Sequence, residues 1–176
     1  KVRTHFGYLF QEGALFDSMT VAENIMFPIR QNYQVKNGRE VEDIVKVKLA
    51  MVGLDGFQNH YPARLSGGQR KRVALARAIA LNPGVILYDE PTTGLDPIRS
   101  DIINELILKL NRELGVTGIV VTHDMASARK VGHRIIMLDE GRFIFDGTPD
   151  ELLASQDERV RRFVEGRATA EDLESL

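Results

Sequence analysis

Residues 65–97 read LSGGQRKRVALARAIALNPGVILYDEPTTGLDP, and the order of the parts in that stretch decides the fold. At its centre, residues 85–88 form a continuous apolar run that closes on Asp89 and Glu90. Such a run is the pattern of a strand buried on both faces, which belongs in a parallel sheet. Upstream, Leu65-Ser66-Gly67-Gly68-Gln69 opens a helix expected over about 68–81, with Arg70, Lys71 and Arg72 in its first half and Asn82-Pro83-Gly84 breaking it. Downstream, Thr93-Gly94-Leu95-Asp96-Pro97 leads into a helix over 98–114.

Outward from this centre the alternation continues. Residues 5–10 are short, apolar and aromatic-rich and end in Gln11-Glu12-Gly13, a strand running into a loop. Thr20 and Glu23 stand at capping-box spacing, so a short helix is expected to start at Val21 and stop near Pro28. A polar linker follows over 32–39, then an amphipathic helix over 41–52 that Gly53 stops. Beyond the centre come a strand over 118–121, a short helix over 125–131, a strand over 134–138 and a hairpin strand over 142–146. Helices close the chain near 149–153 and 157–165. Strands alternating with helices imply an α/β fold with right-handed crossovers and a mostly parallel sheet.

Composition narrows the function classes. The 176 residues are 43% hydrophobic and 27% charged, sufficient for a real core. Lys and Arg number 23 against 25 Asp and Glu, so no global basic field argues for nucleic acid or anionic lipid. No cysteine is present, which fits a reducing compartment. No apolar run reaches the roughly 18 residues that a membrane span needs.

Two groups of residues carry chemistry. Ser66, Gly67, Gly68 and Gln69 lie at a helix start, where free amides and the positive dipole end favour an anion and small residues let a phosphate approach. A glycine-rich helix start with no ligand is the plainer alternative. Asp89 and Glu90 emerge at the carboxyl end of a buried strand, where open α/β sheets bind ligands. Asp89 suits Mg²⁺, and Glu90 suits the orientation or deprotonation of a water. Asp96 can reach a neighbouring nucleotide site, cap the helix at Pro97, or do both. His123 follows a buried strand and should emerge at the same edge, whereas His5, His60 and His133 lack such a context.

The ordered set of Gln11, LSGGQ at 65–69, VILYDE at 85–90, TGLDP at 93–97 and His123 closely resembles the ABC ATPase family through about residue 150. The resemblance implies a partial P-loop NTPase fold with a helical signature subdomain at about 18–82 within an ATPase domain over 1–156, and a helical tail over 157–176. It implies ATP and Mg²⁺ as ligands, with Gln11 at the metal or water and Glu90, His123 and Gln11 as catalytic residues. Residues 12–27 would help form a groove that receives transmembrane permease subunits. Two copies would pack head to tail, each LSGGQ closing over ATP held by the other, at the cytoplasmic face of the inner membrane and without nucleic acid. The stretch FGYLFQEGALFDSMTVAENIMFPIR, the LDPI segment and the tail DERVRRFVEG look most like ATPases of the Mce or Mla type, which serve phospholipid or toluene-tolerance transport.

The family pattern also includes a G-x-x-x-x-G-K-S/T loop, yet none of the 15 glycines is followed by lysine. This polypeptide by itself is therefore expected to bind ATP poorly and leave it intact, as a shortened form of a longer protein. An unpaired sheet edge and exposed apolar surface should accompany the missing strand. Val160, Phe163 and Val164 share a face of the tail, which either packs on its own domain or joins a dimer contact. Absence of heptads argues against the coiled-coil DNA-repair relatives of the family. A non-catalytic module that docks a partner helix is the remaining alternative.

Overall fold

The computed structural model describes residues 2–32 and 38–168, so most of the linker expected at 32–39 and the end of the tail lie outside the described residues. The chain divides into two compact units, Lys1–His123 and Asp124–Leu176.

In the first unit, β1 (Phe6–Leu9), β2 (Val85–Asp89) and β3 (Thr117–Val121) form a parallel sheet in the order β1-β2-β3. Leu9 pairs with Tyr88 and Asp89 with Val121, so all three carboxyl ends reach one edge. One sheet face is closed. Leu9, Ile86 and Tyr88 are at most 1% exposed there. They pack under α3 (Gly67–Ala78) and α4 (Pro97–Leu114), and Tyr88 donates its hydroxyl hydrogen to Asn111 Oδ1 at 2.8 Å. Gly7 is needed on this face, since a Cβ there would stand 2.5 Å from the Ala78 carbonyl oxygen. On the other face Phe6, Tyr8, Ile119 and Val121 stay exposed, and the outer edge of β3 pairs with no described strand.

Helices α1 (Val21–Asn32) and α2 (Gly38–Met51) pack on α3 through Ile25, Ile29, Val45 and Leu49, all buried. Helix α1 does not stop at Pro28, as the sequence suggested, but runs four residues further to Asn32. Proline removes one ladder hydrogen bond. The local break is outweighed by burial of Ile29, and Asn32 Nδ2 donates to Pro28 O at 2.8 Å. Asn24, fully buried, ties the helix to the preceding loop: its amide donates to Phe16 O, Met19 O and Thr20 O while its Oδ1 accepts from Phe16 N.

In the second unit, β4 (Ile135–Asp139) and β5 (Arg142–Gly147) form an antiparallel hairpin. Its turn residues Glu140 and Gly141 both have positive φ, the geometry that matches strand twist. Arg134 grips Asp146 with two hydrogen bonds of 2.7 and 2.6 Å. Helices α5 (Met125–Val131), α6 (Pro149–Leu153) and α7 (Glu158–Glu165) complete this unit. Thr148 and Glu151 cap α6 reciprocally, and Asp157 caps α7. Val160 is buried, whereas Phe163 remains 47% exposed.

Candidate functional site

Parallel register does most of the assembly. Gln11 lies two residues beyond β1, Glu90 one beyond β2 and His123 two beyond β3, so all three stand at the same carboxyl edge. A hydrogen bond of 2.9 Å from Glu90 N to Val121 O draws the second and third of these exits together.

Glu90 is the most constrained of the site residues. Its backbone turns into the left-handed region at φ 45°, which a non-glycine residue holds only when its surroundings insist. Oε1 accepts the backbone N–H of His123 at 3.0 Å and meets His123 Nδ1 at 2.8 Å. Oε2 accepts from the hydroxyls of Thr93 at 3.0 Å and Thr122 at 3.3 Å. Burial by itself would raise this carboxyl, but the hydrogen bonds from His123 and Thr93 and the nearby imidazole outweigh it and hold it below the ordinary glutamate value. Glu90 is thus an anion at neutral pH. Because a carboxylate only accepts, His123 Nδ1 carries the proton, and Nε2 is left to face away from Glu90 on a side chain that is 71% exposed.

Asp89, at the last position of β2, is half-buried and accepts from Tyr8 OH at 3.4 Å. Among the described residues no group of three or more His, Asp or Glu side chains could enclose a metal unaided. That donor set fits Mg²⁺, which is held by one or two carboxylates while water and phosphate oxygens fill its other positions.

The Leu65–Gln69 turn is separate from this edge in character. Ser66 caps α3 and forms a capping box with Gln69: Gln69 N donates to Ser66 Oγ at 3.3 Å, and Ser66 N donates to Gln69 Oε1 at 2.8 Å. A plain structural role therefore accounts for Ser66 and Gln69. It does not account for the glycines. Neither has positive φ, a Cβ on Gly68 would meet nothing within 4 Å, and one on Gly67 would make only an ordinary 3.6 Å contact with Leu95. Among the described residues, nothing would be forced to shift by a side chain at either position.

Asp96 caps α4, with Oδ1 accepting from Arg99 N at 3.0 Å and Oδ2 3.2 Å from Arg99 Nε. The helix-capping alternative is thus realised. Thr93, inside the TGLDP motif, and Thr122, beside His123, were given no role of their own in the sequence. The signal for Thr93 lies in its spacing from Glu90, which lets a hydroxyl fold back over one turn.

A family model described as ABC transporter matches residues 1–93, just over half of the chain. The "Probable ribonucleotide transport ATP-binding protein mkl" of Mycobacterium tuberculosis is 44% identical over 167 residues, 95% of this chain and 46% of the relative. The "Intermembrane phospholipid transport system ATP-binding protein MlaF" is 42% identical in Haemophilus influenzae, covering 96% of this chain and 63% of the relative. The dimeric, post-hydrolysis ATP-binding cassette MJ0796 bound to ADP and Pi superimposes with a TM-score of 0.74 at 40% identity, covering 84% of this chain and 65% of that one. The chain spans about half to just under two thirds of the length of these proteins. With an acidic strand, a glycine turn at a helix start and a histidine gathered in this order and at this identity, the chain belongs to the ABC transporter family.

Proposed function

We propose that this chain carries the signature turn, acidic strand and histidine of an ATP-hydrolysing subunit that powers transport of a lipid or similar hydrophobic cargo. The carrying observation is the Glu90 carboxylate, kept ionised and aimed by His123, Thr93 and Thr122 at the edge where the sheet's strands end. An anion so placed orients a water for attack on a terminal phosphate and accepts its proton. His123, with its Nδ1–H given to Glu90, would donate to a phosphate oxygen from Nε2 in its doubly protonated form, in which both ring nitrogens are donors. Asp89 and Gln11 would hold Mg²⁺, which neutralises phosphate charge when bound. Ser66 and the amides of Gly67 and Gly68 would close over the nucleotide of a second copy packed head to tail, with Asp96 beside it. The space over Gly68, and the single 3.6 Å contact that a Cβ on Gly67 would make, leave the turn open to such an approach.

No helix among the described residues is long and apolar enough to cross a membrane. Membrane passage would belong to permease subunits docked beside the Gln11 loop, where a cavity of about 380 Å³ is lined by Phe6, Tyr8, Phe10, Phe16 and Phe27. The subunit would then sit at the cytoplasmic face of the inner membrane. Phospholipid is favoured as cargo by the MlaF relatives and by the resemblance of residues 6–30 to Mla-type ATPases. The test is Mg-ATP hydrolysis by this chain and by the full-length protein with its P-loop, each with and without Glu90→Gln. Turnover only in the P-loop form with Glu90 intact is the expected result. Turnover by the chain without a P-loop would contradict the mechanism.

A further inference from the structure

Basic residues near a helix start ordinarily point to water or to an anion. Those of α3 bond to backbone carbonyls of the same chain instead. Arg70 Nη1 donates to Leu65 O at 2.8 Å and Arg72 Nη1 to Gly53 O at 3.1 Å. The Arg77 guanidinium donates to Gly13 O at 2.6 Å and Ala14 O at 2.7 Å, which anchors the loop after Gln11 to the helix. Lys71 is more enclosed still, at 6% exposed. Its ammonium donates to the backbone carbonyl of Gln11 and, at 3.2 Å, to that of Glu90.

An ammonium taken out of water is costly, and burial does push Lys71 down from the ordinary lysine value. Opposing that, the charges of Glu12, Glu90 and Asp89 favour the cation. An apolar side chain could fill the same space without desolvating a charge. What the ammonium adds is a pair of directed contacts, one to each of two loops that leave different strands. Its contact with the Glu90 carbonyl also supports the left-handed backbone from which that carboxylate is aimed.

We propose that Lys71 is a positioning residue that ties the Gln11 loop to Glu90, so that a displacement of that loop moves the Glu90 carboxylate and α3 together. Docking of a partner beside Gln11 would thereby reach the hydrolytic residue through one side chain, with no contact of its own to the nucleotide. This role rests on the ATP-hydrolysing function proposed above.

The test is a double-mutant cycle on Mg-ATP turnover in the full-length protein, using Lys71→Gln, Lys71→Met, Lys71→Arg and Glu90→Gln. Lys71→Met should lower kcat by roughly tenfold or more while KM for ATP moves less than about twofold, because geometry at the reacting centre is disturbed and binding is not. Lys71→Arg, which keeps a cation able to reach both carbonyls, should recover most of that loss. Combined with Glu90→Gln, which removes the carboxylate that Lys71 is proposed to hold in place, the two losses should fail to multiply. If Lys71→Met does not fold, Lys71→Gln takes its place in the cycle. Losses that multiply, or an arginine no better than methionine or glutamine, would overturn the role of Lys71. A wild-type full-length protein that leaves ATP intact would overturn the hydrolytic function instead, so the two failures are separate.

Discussion

The edge around Glu90 and the turn at Ser66–Gln69 are both built from motif residues, yet they are finished to different degrees. At the edge every oxygen of the Glu90 carboxylate is engaged by groups of the same chain, namely His123, Thr93 and Thr122. At the turn the side chains of Ser66 and Gln69 cap their own helix, while a Cβ on Gly68 would meet none of the described residues and one on Gly67 only Leu95, at 3.6 Å. A residue whose geometry is satisfied within its own chain performs there. Gly38 and Gly84 are as open as Gly68, so openness by itself does not mark a site. In the function proposed above, the edge and the turn would be half-sites that become whole only in a pair.

The sharpest way to break this comparison is Glu90→Gln in the full-length protein. Turnover should fall by roughly 10²–10⁴-fold, the usual worth of a positioned acid or base, while nucleotide affinity measured by equilibrium binding stays near wild type. A comparable fall in affinity would instead make Glu90 a binding residue.

Gly68→Ala should separate the two regions from the other side. Inside the chain the new methyl meets nothing, and alanine favours a helix over glycine by about 1 kcal/mol in a helix interior, so the melting temperature should hold or rise. Turnover should nevertheless fall by roughly tenfold or more, since one misplaced contact at a reacting phosphate has that consequence. Unchanged turnover would leave the turn as a helix cap and nothing else.

Asp96→Ala is expected to remove the α4 cap and cost about 1 kcal/mol of stability, read from denaturant unfolding. A loss of cooperativity in ATP turnover beyond that cost would add a role across the dimer to the cap.

The smallest effect concerns pH. The Glu90 carboxyl lies below its ordinary value in the folded protein, so its stabilising contribution is present above the unfolded glutamate value of about 4.5. It is lost as pH falls through the lower, folded value. Melting temperatures of wild type and Glu90→Gln should therefore converge on acidification through that window. Parallel curves would mean that the four hydrogen bonds to Glu90 do not favour its charged form.

Much of the architecture was legible from residue order because it depends on short-range causes. The apolar run ending in Asp89, the capping box of Thr20 and Glu23, the cap at Asp96 and the Glu140-Gly141 turn all follow from propensities within a few positions. The gathering of Gln11, Glu90 and His123 at one edge followed as well, since parallel strands present their carboxyl ends together. Helix α1 passing through Pro28 was not legible: a proline argues for a stop, and only the burial of Ile29 against neighbouring helices outweighs it.

Side-chain direction also had to wait for tertiary structure. Arg70, Lys71 and Arg72 read as a charged helix start in sequence. Their partners Leu65, Gln11, Glu90 and Gly53 lie in separate segments, and a string of basic residues carries no information on which carbonyls the fold will bring within reach. The sequence by itself determined which chemical groups this protein has and the order in which strands deliver them, because backbone periodicity is local. Only the tertiary structure decided that Glu90 is gripped by Thr93, Thr122 and His123 and that Lys71 joins it to Gln11, because those bonds form between atoms that packing alone brings together.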